Sequence, residues 1–301
     1  MKSPGVLYNA DIRNNGTARR VTETLVQMGF LDTGMKRYSR NDDFTPPEEH
    51  DFWLYIDDGR DEIPMPELPS PNACWLVDTH LGYDTRLKWA KKFDFVFLCQ
   101  KPDVEKMKKD GVDNVHWLPL ACLPCVDPNI SELSELPKER LGSYGLKKKH
   151  NLVFVGHLNE GHEGSGNNRL QYLDTAFSAV PNNWLAFGEF FEQAAIRFVR
   201  GRVGFNISIR DDLNMRFFEV MSSGTCLLTN TDVVGIEDLG FEEDVHFVGY
   251  KGLEEVGEKA RWCIDNPMER EKIAKEGHKL VRSSHTYEHR LNEMLKTCGV
   301  M

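Results

Sequence analysis

The sequence predicts an α/β protein with two doubly wound parallel sheets. Two series of short apolar runs, rich in β-branched and aromatic residues, follow each other along the chain. Longer stretches with helical periodicity separate these runs, as expected when crossover helices connect parallel strands. The length of 301 residues suits two domains, since one domain takes about 100–200 residues.

The composition is that of a globular chain. Apolar residues make up 40% and charged residues 28%, which excludes intrinsic disorder. The formal net charge of -10 disfavours a global electrostatic grip on nucleic acid or anionic lipid. No apolar run approaches the roughly 20 residues that span a bilayer, and the first residues lack the apolar core of a secretion signal. We expect a cytoplasmic protein without membrane insertion, whose 7 scattered cysteines are reduced.

The first series of apolar runs predicts one set of strands and helices. Strands are predicted at residues 5–9, 51–57, 73–78, 93–99 and 115–120. Helices are predicted at residues 17–28, 83–92 and 102–109. Residues 30–50 are too polar to be core, and we expect an irregular connection there.

The second series repeats this pattern after a proline-broken linker at residues 124–150. Strands are predicted at residues 151–157, 184–189, 203–209, 225–230 and 245–250. Helices are predicted at residues 169–179, 191–200, 215–222, 252–265 and 268–281. We expect domains at about 1–135 and 150–285, a cleft between them, and ligands at the carboxyl ends of the strands.

The most informative stretch is 204–230, where a strand, a polar turn and a helix follow each other. The free N–H groups and positive dipole end of this helix make a seat for phosphate. Asp212 or Asn214 can cap the helix, and Arg216 can grip a diphosphate. Glu219 can accept hydrogen bonds from two sugar hydroxyls. A purely structural alternative is a capping Asp211 with a Glu219–Arg216 pair.

The same stretch resembles the donor-binding segment of GT-B glycosyltransferases, in particular the CgeB-like, spore-maturation-type branch. The matching positions are Asn214, Arg216, Phe218, Glu219, Gly224, Leu227, Leu228 and Thr229. Related transferases carry an E-x7-E motif, in which Asp211 takes the first position here and Glu219 the second. The resemblance covers about residues 151–291, and it implies two Rossmann-like domains with a final helix, 286–301, that packs back on the first domain.

The resemblance implies transfer of a sugar from a nucleotide-sugar of the UDP or GDP type, with no tightly bound cofactor. Arg216 would stabilise the diphosphate leaving group, and Glu219 would hold the ribose. The other donor-binding positions that we expect are Asp211, Asn214, Met215, Gly156, His157, Arg169 and Gly188. Asp211 and Asn214 would face the donor sugar, and the Gly188 loop would border the base. The sequence contains no D-x-D motif, which agrees with a metal-independent reaction. Because similar enzymes with an E-x7-E segment retain the anomeric configuration, the resemblance also implies retention.

Two segments of the first domain are candidates for the acceptor side. By family position, Asn14, Asn15 and Gly16 face the acceptor. Asp78 and His80 close a strand, so His80 can position the acceptor or transfer a proton. The alternative is an Asp78–His80 pair that only closes a turn.

Two further motifs have structural explanations. The glycine-rich loop after residue 156 can be a surface loop without function, and His157 and His162 lack further ligands for a metal. Cys122 and Cys125 form a C-x-x-C, which can bind zinc or perform redox chemistry. Because prolines surround this pair and no second C-x-x-C occurs, we interpret these cysteines as incidental thiols.

Three functions remain open at this point. The favoured one is a glycosyltransferase acting on a glycan, a protein or a small molecule. The second is a transferase that modifies DNA bases, as phage enzymes do, although the net charge disfavours it. The third is a nucleotide-sugar-binding or spore-structural protein without activity.

Overall fold

The chain forms two compact units in the computed structural model, which describes residues 4–8, 16–30, 36–39, 44–57, 65–122, 148–156, 166–189, 192–208 and 212–301. The first unit comprises Met1–Leu120 and Tyr287–Met301, and the second unit comprises Ala121–Thr286. Each unit contains one parallel sheet flanked by helices, so the predicted α/β class is confirmed. None of the described helices has the length and apolar character that a membrane-spanning helix requires.

The first unit is built on a six-stranded parallel sheet with the order β2-β1-β3-β4-β5-β6. Its strands are β1 (Pro4–Tyr8), β2 (Lys36–Ser39), β3 (Phe52–Ile56), β4 (Asn72–Leu76), β5 (Phe95–Leu98) and β6 (Val115–Trp117). Its helices are α1 (Thr17–Gln27), α2 (Tyr83–Ala90), α3 (Lys101–Lys109) and α9 (Tyr287–Thr297). Helix α9 packs on α1, and Arg290 Nε donates to the Pro119 carbonyl oxygen over 2.9 Å.

Strand β2 corrects the prediction of an irregular connection at residues 30–50. Residues Lys36–Ser39 pair in parallel with β1, with Gly5 opposite Lys36. The strand lies at the edge of the sheet, where one hydrogen-bonded neighbour is enough and polar residues are common. The polarity of the segment therefore indicated an edge position and not the absence of a strand.

The second unit has a five-stranded parallel sheet with the order β11-β10-β9-β7-β8. Its strands are β7 (His150–Val155), β8 (Trp184–Ala186), β9 (Gly201–Phe205), β10 (Cys226–Asn230) and β11 (Val248–Tyr250). Its helices are α4 (Gly166–Ala179), α5 (Glu192–Arg200), α6 (Met215–Ser222), α7 (Gly252–Asp265) and α8 (Pro267–Ser284).

The strand order of each sheet reverses once, between β1 and β3 in the first unit and between β7 and β9 in the second. At such a reversal the helices leave the sheet on opposite faces, and a crevice opens at the carboxyl ends of the two strands. Helix α6 approaches β9 so closely that a Cβ on Gly204 would collide with Val220. Each sheet has its own apolar core, which in the second unit includes Leu152, Phe154, Val203, Phe205 and Leu228.

Strands β8 and β11 are shorter in the structure than their apolar runs. Strand β8 ends at Ala186, because the chain turns at Gly188, whose φ is +65°. Strand β11 begins at Val248, because a turn precedes it in which Asp244 has a φ of +61°. Apolar side chains continue into both turns, which explains why periodicity alone extended the strands.

Replacing Lys148 with methionine is expected to stabilise the protein at pH 7. Burial is the main reason why the pKa of Lys148 falls from 10.5 to about 8, and its Nζ donates to Thr225 Oγ1 over 3.0 Å. Between pH 8 and 10.5 the unfolded chain binds more protons than the folded one, so the wild type gains stability as the pH rises. We expect Lys148→Met to raise the free energy of unfolding by on the order of 1–2 kcal/mol at pH 7.

The measurement is urea unfolding at pH 7 and pH 10. The advantage of Lys148→Met should shrink at the higher pH, where the wild-type amine is neutral in the folded state. Lys149→Met is the matched control, since Lys149 is exposed. An advantage that is equal at both pH values would contradict the electrostatic explanation.

Candidate anion-binding site

The first turn of helix α6 lies beside the carboxyl end of β9 and is capped by Asn214. Asn214 Oδ1 accepts a hydrogen bond from the Phe217 N–H over 3.3 Å, and Asn214 Nδ2 donates to Ser208 Oγ over 3.1 Å. Of the two predicted capping residues, the structure thus uses Asn214. The first turn of a helix carries N–H groups without intrahelical acceptors and the positive end of the dipole, which together favour an anion.

Arg216 reaches from this turn to the point where the strand order reverses. Its Nε donates to the Val155 carbonyl oxygen at the end of β7 over 2.7 Å. Its Nη1 donates to Asn206 Oδ1 at the end of β9 over 2.9 Å. The guanidinium carbon lies 4.4 Å from the centre of the Phe154 ring. These contacts fix the cation in the crevice between β7 and β9, where doubly wound sheets bind ligands.

Arg216 keeps hydrogen-bond donors for a ligand. A guanidinium has five N–H hydrogens, of which the bonds to Val155 and Asn206 use two. Within the part of the chain that the structure describes, the other hydrogens, one on Nη1 and both on Nη2, have no hydrogen-bond acceptor. Both acceptors that it does contact are neutral oxygens, so the positive charge is not cancelled by a hydrogen-bonded carboxylate.

A second cation, Arg169 of helix α4, lies close to Arg216. Burial lowers the pKa of Arg216 to about 10, and the charge of Arg169 is the next cause. Burial also lowers the pKa of Arg169, while the nearby Asp212 raises it. Two arginines held close together repel each other, and a bound anion would relieve that repulsion.

Glu219 lies one turn after Arg216 on the same helix and is half-buried. Its negative charge raises the pKa of Arg216, so the two side chains are near each other as their spacing predicts. Met215, the first residue of α6, is also half-buried. The structure therefore brings Arg216, Arg169 and Glu219 together at one edge of the sheet.

Gly156 follows β7 and makes room for Arg216. A Cβ at this position would collide with Nη2 of Arg216. Only glycine allows the guanidinium to lie against the backbone here. Gly156 thus belongs to the site through the arginine that it accommodates.

Phe187 is a candidate that the sequence analysis missed. It follows β8, and 52% of its surface is exposed, next to Gly188 at a φ of +65°. Because its neighbours are apolar, the sequence analysis assigned Phe187 to the strand at residues 184–189. Gly188, which follows it, was a signal for a turn at this point. An exposed aromatic ring can stack on a planar ligand group.

Several predicted site residues have no described geometry. Asp211, His157, Asn14 and Asn15 lie outside the described residues, as do His162 and Cys125. Gly16 precedes helix α1, and a Cβ there would meet nothing within 4 Å. Cys122 is buried, and its N–H donates to the His285 carbonyl oxygen over 3.1 Å.

In the first unit, Asp78 and His80 lie on a tight turn after β4, and both are half-buried. Asp78 adopts a left-handed conformation with φ 52° and ψ 33°, which is unusual for a residue other than glycine. Thr79 anchors the turn: its Oγ1 lies 2.8 Å from Gln100 Oε1 and also contacts the Asp103 carboxylate. Thr79 thus holds the turn, and both interpretations of Asp78 and His80, as part of the acceptor side and as a turn-closing pair, stay predictions.

A buried ion pair, which the sequence analysis also missed, supports the same turn. Arg86 Nε lies 2.7 Å from Asp57 Oδ2 and 2.8 Å from the Val77 carbonyl oxygen. The Val77 N–H donates to Asp57 Oδ2 over 3.2 Å. Both charged side chains are at most 1% exposed, so the pair fixes the end of β4 from inside the unit.

Comparison with known proteins identifies one family match and many similar structures. Residues 178–296, which include helix α6, match the model of a family described as glycosyl transferase-like. A comparison with curated protein sequences found no significant match.

Three solved structures illustrate the similarity of the fold. A sucrose-phosphate synthase from Thermosynechococcus elongatus has 10% identity, 98% coverage of both chains and a TM-score of 0.68. Anabaena Alr3699/HepE in complex with UDP and glucose has 10% identity, covers 99% of this chain and 100% of its own, and has a TM-score of 0.66. An alpha-glucosyltransferase in complex with UDP and a 13-mer DNA containing a HMU base has 8% identity, the same coverage and a TM-score of 0.64.

At such low identities the likeness establishes the fold. The chain has the fold of these GT-B glycosyltransferases, with two Rossmann-like parallel sheets as predicted. The match to the glycosyl transferase-like family model concerns residues 178–296, from the end of α4 into α9.

Proposed function

We propose that this protein is a glycosyltransferase that takes a sugar from a UDP- or GDP-sugar. The observation that carries the proposal is the Arg216 guanidinium, which keeps hydrogen-bond donors beside a helix start and a second cation, Arg169. This arrangement suits a diphosphate, which needs several donors and positive charge. The family match of residues 178–296 and the UDP bound to similar structures support the same donor class.

In the proposed reaction, the bond between the sugar and the diphosphate breaks, and negative charge grows on the leaving phosphate oxygen. Arg216, Arg169 and the first turn of α6 stabilise that charge without moving, because their geometry is already set. This electrostatic role needs no metal ion and suits a retaining transfer, as the resemblance implies. Glu219 accepts hydrogen bonds from the ribose hydroxyls.

We assign the remaining candidates by their place in each unit. The resemblance implies that Asp211 contacts the donor sugar, whereas the Asn214 side chain holds the helix start through its bonds to Phe217 and Ser208. Asp78 and His80 position the acceptor at the carboxyl end of β4, and the resemblance implies the same role for Asn14, Asn15 and Gly16.

Thermal-shift measurements with nucleoside diphosphates and their sugars test the donor class, because a ligand that binds only the folded state raises its melting temperature. We expect one UDP- or GDP-compound to give a shift and to be hydrolysed slowly to the nucleoside diphosphate. Binding without any release of nucleoside diphosphate would favour the inactive binding protein. The acceptor assay includes glycans, small molecules and hydroxymethylated DNA.

Arg216→Ala is expected to lower the turnover of the donor by about 100-fold or more, the size of effect seen when a transition-state charge contact is lost. The measurement is release of nucleoside diphosphate at saturating donor. Arg261→Ala is the matched control, since Arg261 is exposed on helix α7. Wild-type turnover in Arg216→Ala would remove this arginine from the site.

Glu219→Ala is expected to weaken binding of the nucleoside diphosphate by roughly 10- to 100-fold, because two hydrogen bonds from the ribose to a charged group are lost. Isothermal titration with the nucleoside diphosphate and with pyrophosphate measures the effect. Pyrophosphate lacks the ribose, so the loss of affinity should be much smaller for it. Glu258→Ala, which removes an exposed carboxylate from α7, should leave both affinities unchanged.

Phe187→Ala is expected to weaken binding of the nucleoside diphosphate by roughly 5- to 100-fold, the range of one stacking interaction between a base and an aromatic ring. Met268→Ala serves as the control, because Met268 is 79% exposed and lies on helix α8, away from β8 in the sequence. Equal affinity of Phe187→Ala and the wild type would place the base away from β8.

A further inference from the structure

We propose that Asn206 is a positioning residue that directs the Arg216 guanidinium toward the diphosphate. This inference rests on the proposed function and adds a residue that the sequence motif does not contain. Asn206 is fully buried directly after β9. Its Oδ1 accepts a hydrogen bond from Arg216 Nη1 over 2.9 Å.

The amide of Asn206 is held in one orientation. Its Nδ2 donates to Thr229 Oγ1 over 3.0 Å and lies 3.3 Å from Ser208 Oγ. Two hydroxyl oxygens on the Nδ2 side therefore leave Oδ1 facing the guanidinium. An amide rotated by 180° would point its N–H₂ group at a cation, so the orientation with Oδ1 toward Arg216 is favoured.

The backbone of Asn206 is anchored by residues of two other strands, β10 and β11. Its N–H donates to the Leu228 carbonyl oxygen over 2.8 Å. Its carbonyl oxygen accepts a hydrogen bond from the hydroxyl of Tyr250, which is buried in β11, over 2.9 Å. Strands β9, β10 and β11 thus fix the atom that orients Arg216.

The chemistry of the amide explains why asparagine suits this position. A neutral oxygen orients the guanidinium and leaves its full charge for a ligand. A carboxylate at the same place would form an ion pair with Arg216 and offset the charge that the diphosphate needs. The hydroxyls of Thr229 and Ser208 can turn to donate to a carboxylate, so Asn206→Asp has both the shape and the hydrogen bonds to fold.

The test compares Asn206→Asp with the wild type by titration with nucleoside diphosphate and pyrophosphate. We expect the aspartate to weaken the binding of both ligands by about 10-fold or more, which corresponds to the loss of one strong charge contact. The melting temperature without ligand should stay the same or rise, because the new carboxylate pairs with Arg216. Asn266→Asp adds the same charge at the start of α8 and should leave the affinities unchanged.

A structural role alone predicts the opposite pattern. In that case Asn206→Asp would lower the melting temperature, or change nothing, while the remaining folded protein would bind nucleotide with wild-type affinity. Either result would overturn the inference. If Asn206→Asp does not fold, Thr229→Val frees the amide with no change of shape, and we expect it to weaken nucleotide binding by roughly 2- to 10-fold.

A ligand-free measurement separates this inference from the proposed function. The Nη–H signals of Arg216 in a ¹⁵N NMR spectrum, assigned by their loss in Arg216→Lys, should exchange with water faster in Asn206→Ala than in the wild type, because Nη1 is the atom that donates to Asn206. Unchanged exchange would show that Asn206 does not hold the guanidinium. A wild type that binds no nucleotide would refute the proposed function, and the exchange measurement would still decide the role of Asn206.

Discussion

The guanidinium of Arg216, held across the reversal in strand order, is the interaction on which the site depends. It connects the end of β7 to the end of β9 through Val155 and Asn206. Gly156 lacks a side chain where Nη2 lies, and the guanidinium carbon lies 4.4 Å from the centre of the Phe154 ring. The start of α6 is fixed by Asn214, so the helix places the arginine before any ligand arrives.

This arrangement has an energetic consequence for the protein without ligand. Burial and the nearby Arg169 both disfavour the charged form of Arg216 and lower its pKa to about 10, while Glu219 compensates in part. At neutral pH the arginine is still protonated, and the charges of Glu219 and Asp212 offset part of the repulsion between Arg216 and Arg169. On the proposed function, a bound diphosphate relieves the remaining repulsion, and by linkage the ligand stabilises the folded state.

The sequence predicted the local parts of this site and not the parts that the fold assembles. A strand, a polar turn and a helix with a capping residue are local signals, and helix α6 occupies the predicted residues 215–222. Asn206 was assigned only to a strand, because nothing in the neighbouring residues indicates that it faces an arginine ten residues later. Phe187 was likewise assigned to a strand. The ion pair of Arg86 was missed because its partner, Asp57, lies 29 positions away in the sequence. Such contacts are set by the strand order, which periodicity does not specify.

Each unit contains an arginine that is fixed by hydrogen bonds, and the two arginines differ in the charge of their hydrogen-bond partners. In the first unit, Arg86 faces the Asp57 carboxylate, and at most 1% of either side chain is exposed. That guanidinium is neutralised by its own chain and serves the structure of the turn after β4. In the second unit, the hydrogen-bond acceptors of Arg216 are a backbone carbonyl and an amide, both neutral. Of these two arginines, Arg216 is the one whose hydrogen-bond partners leave its charge available to an external anion. On the proposed function, this contrast favours binding of the donor diphosphate to Arg216 in the second unit.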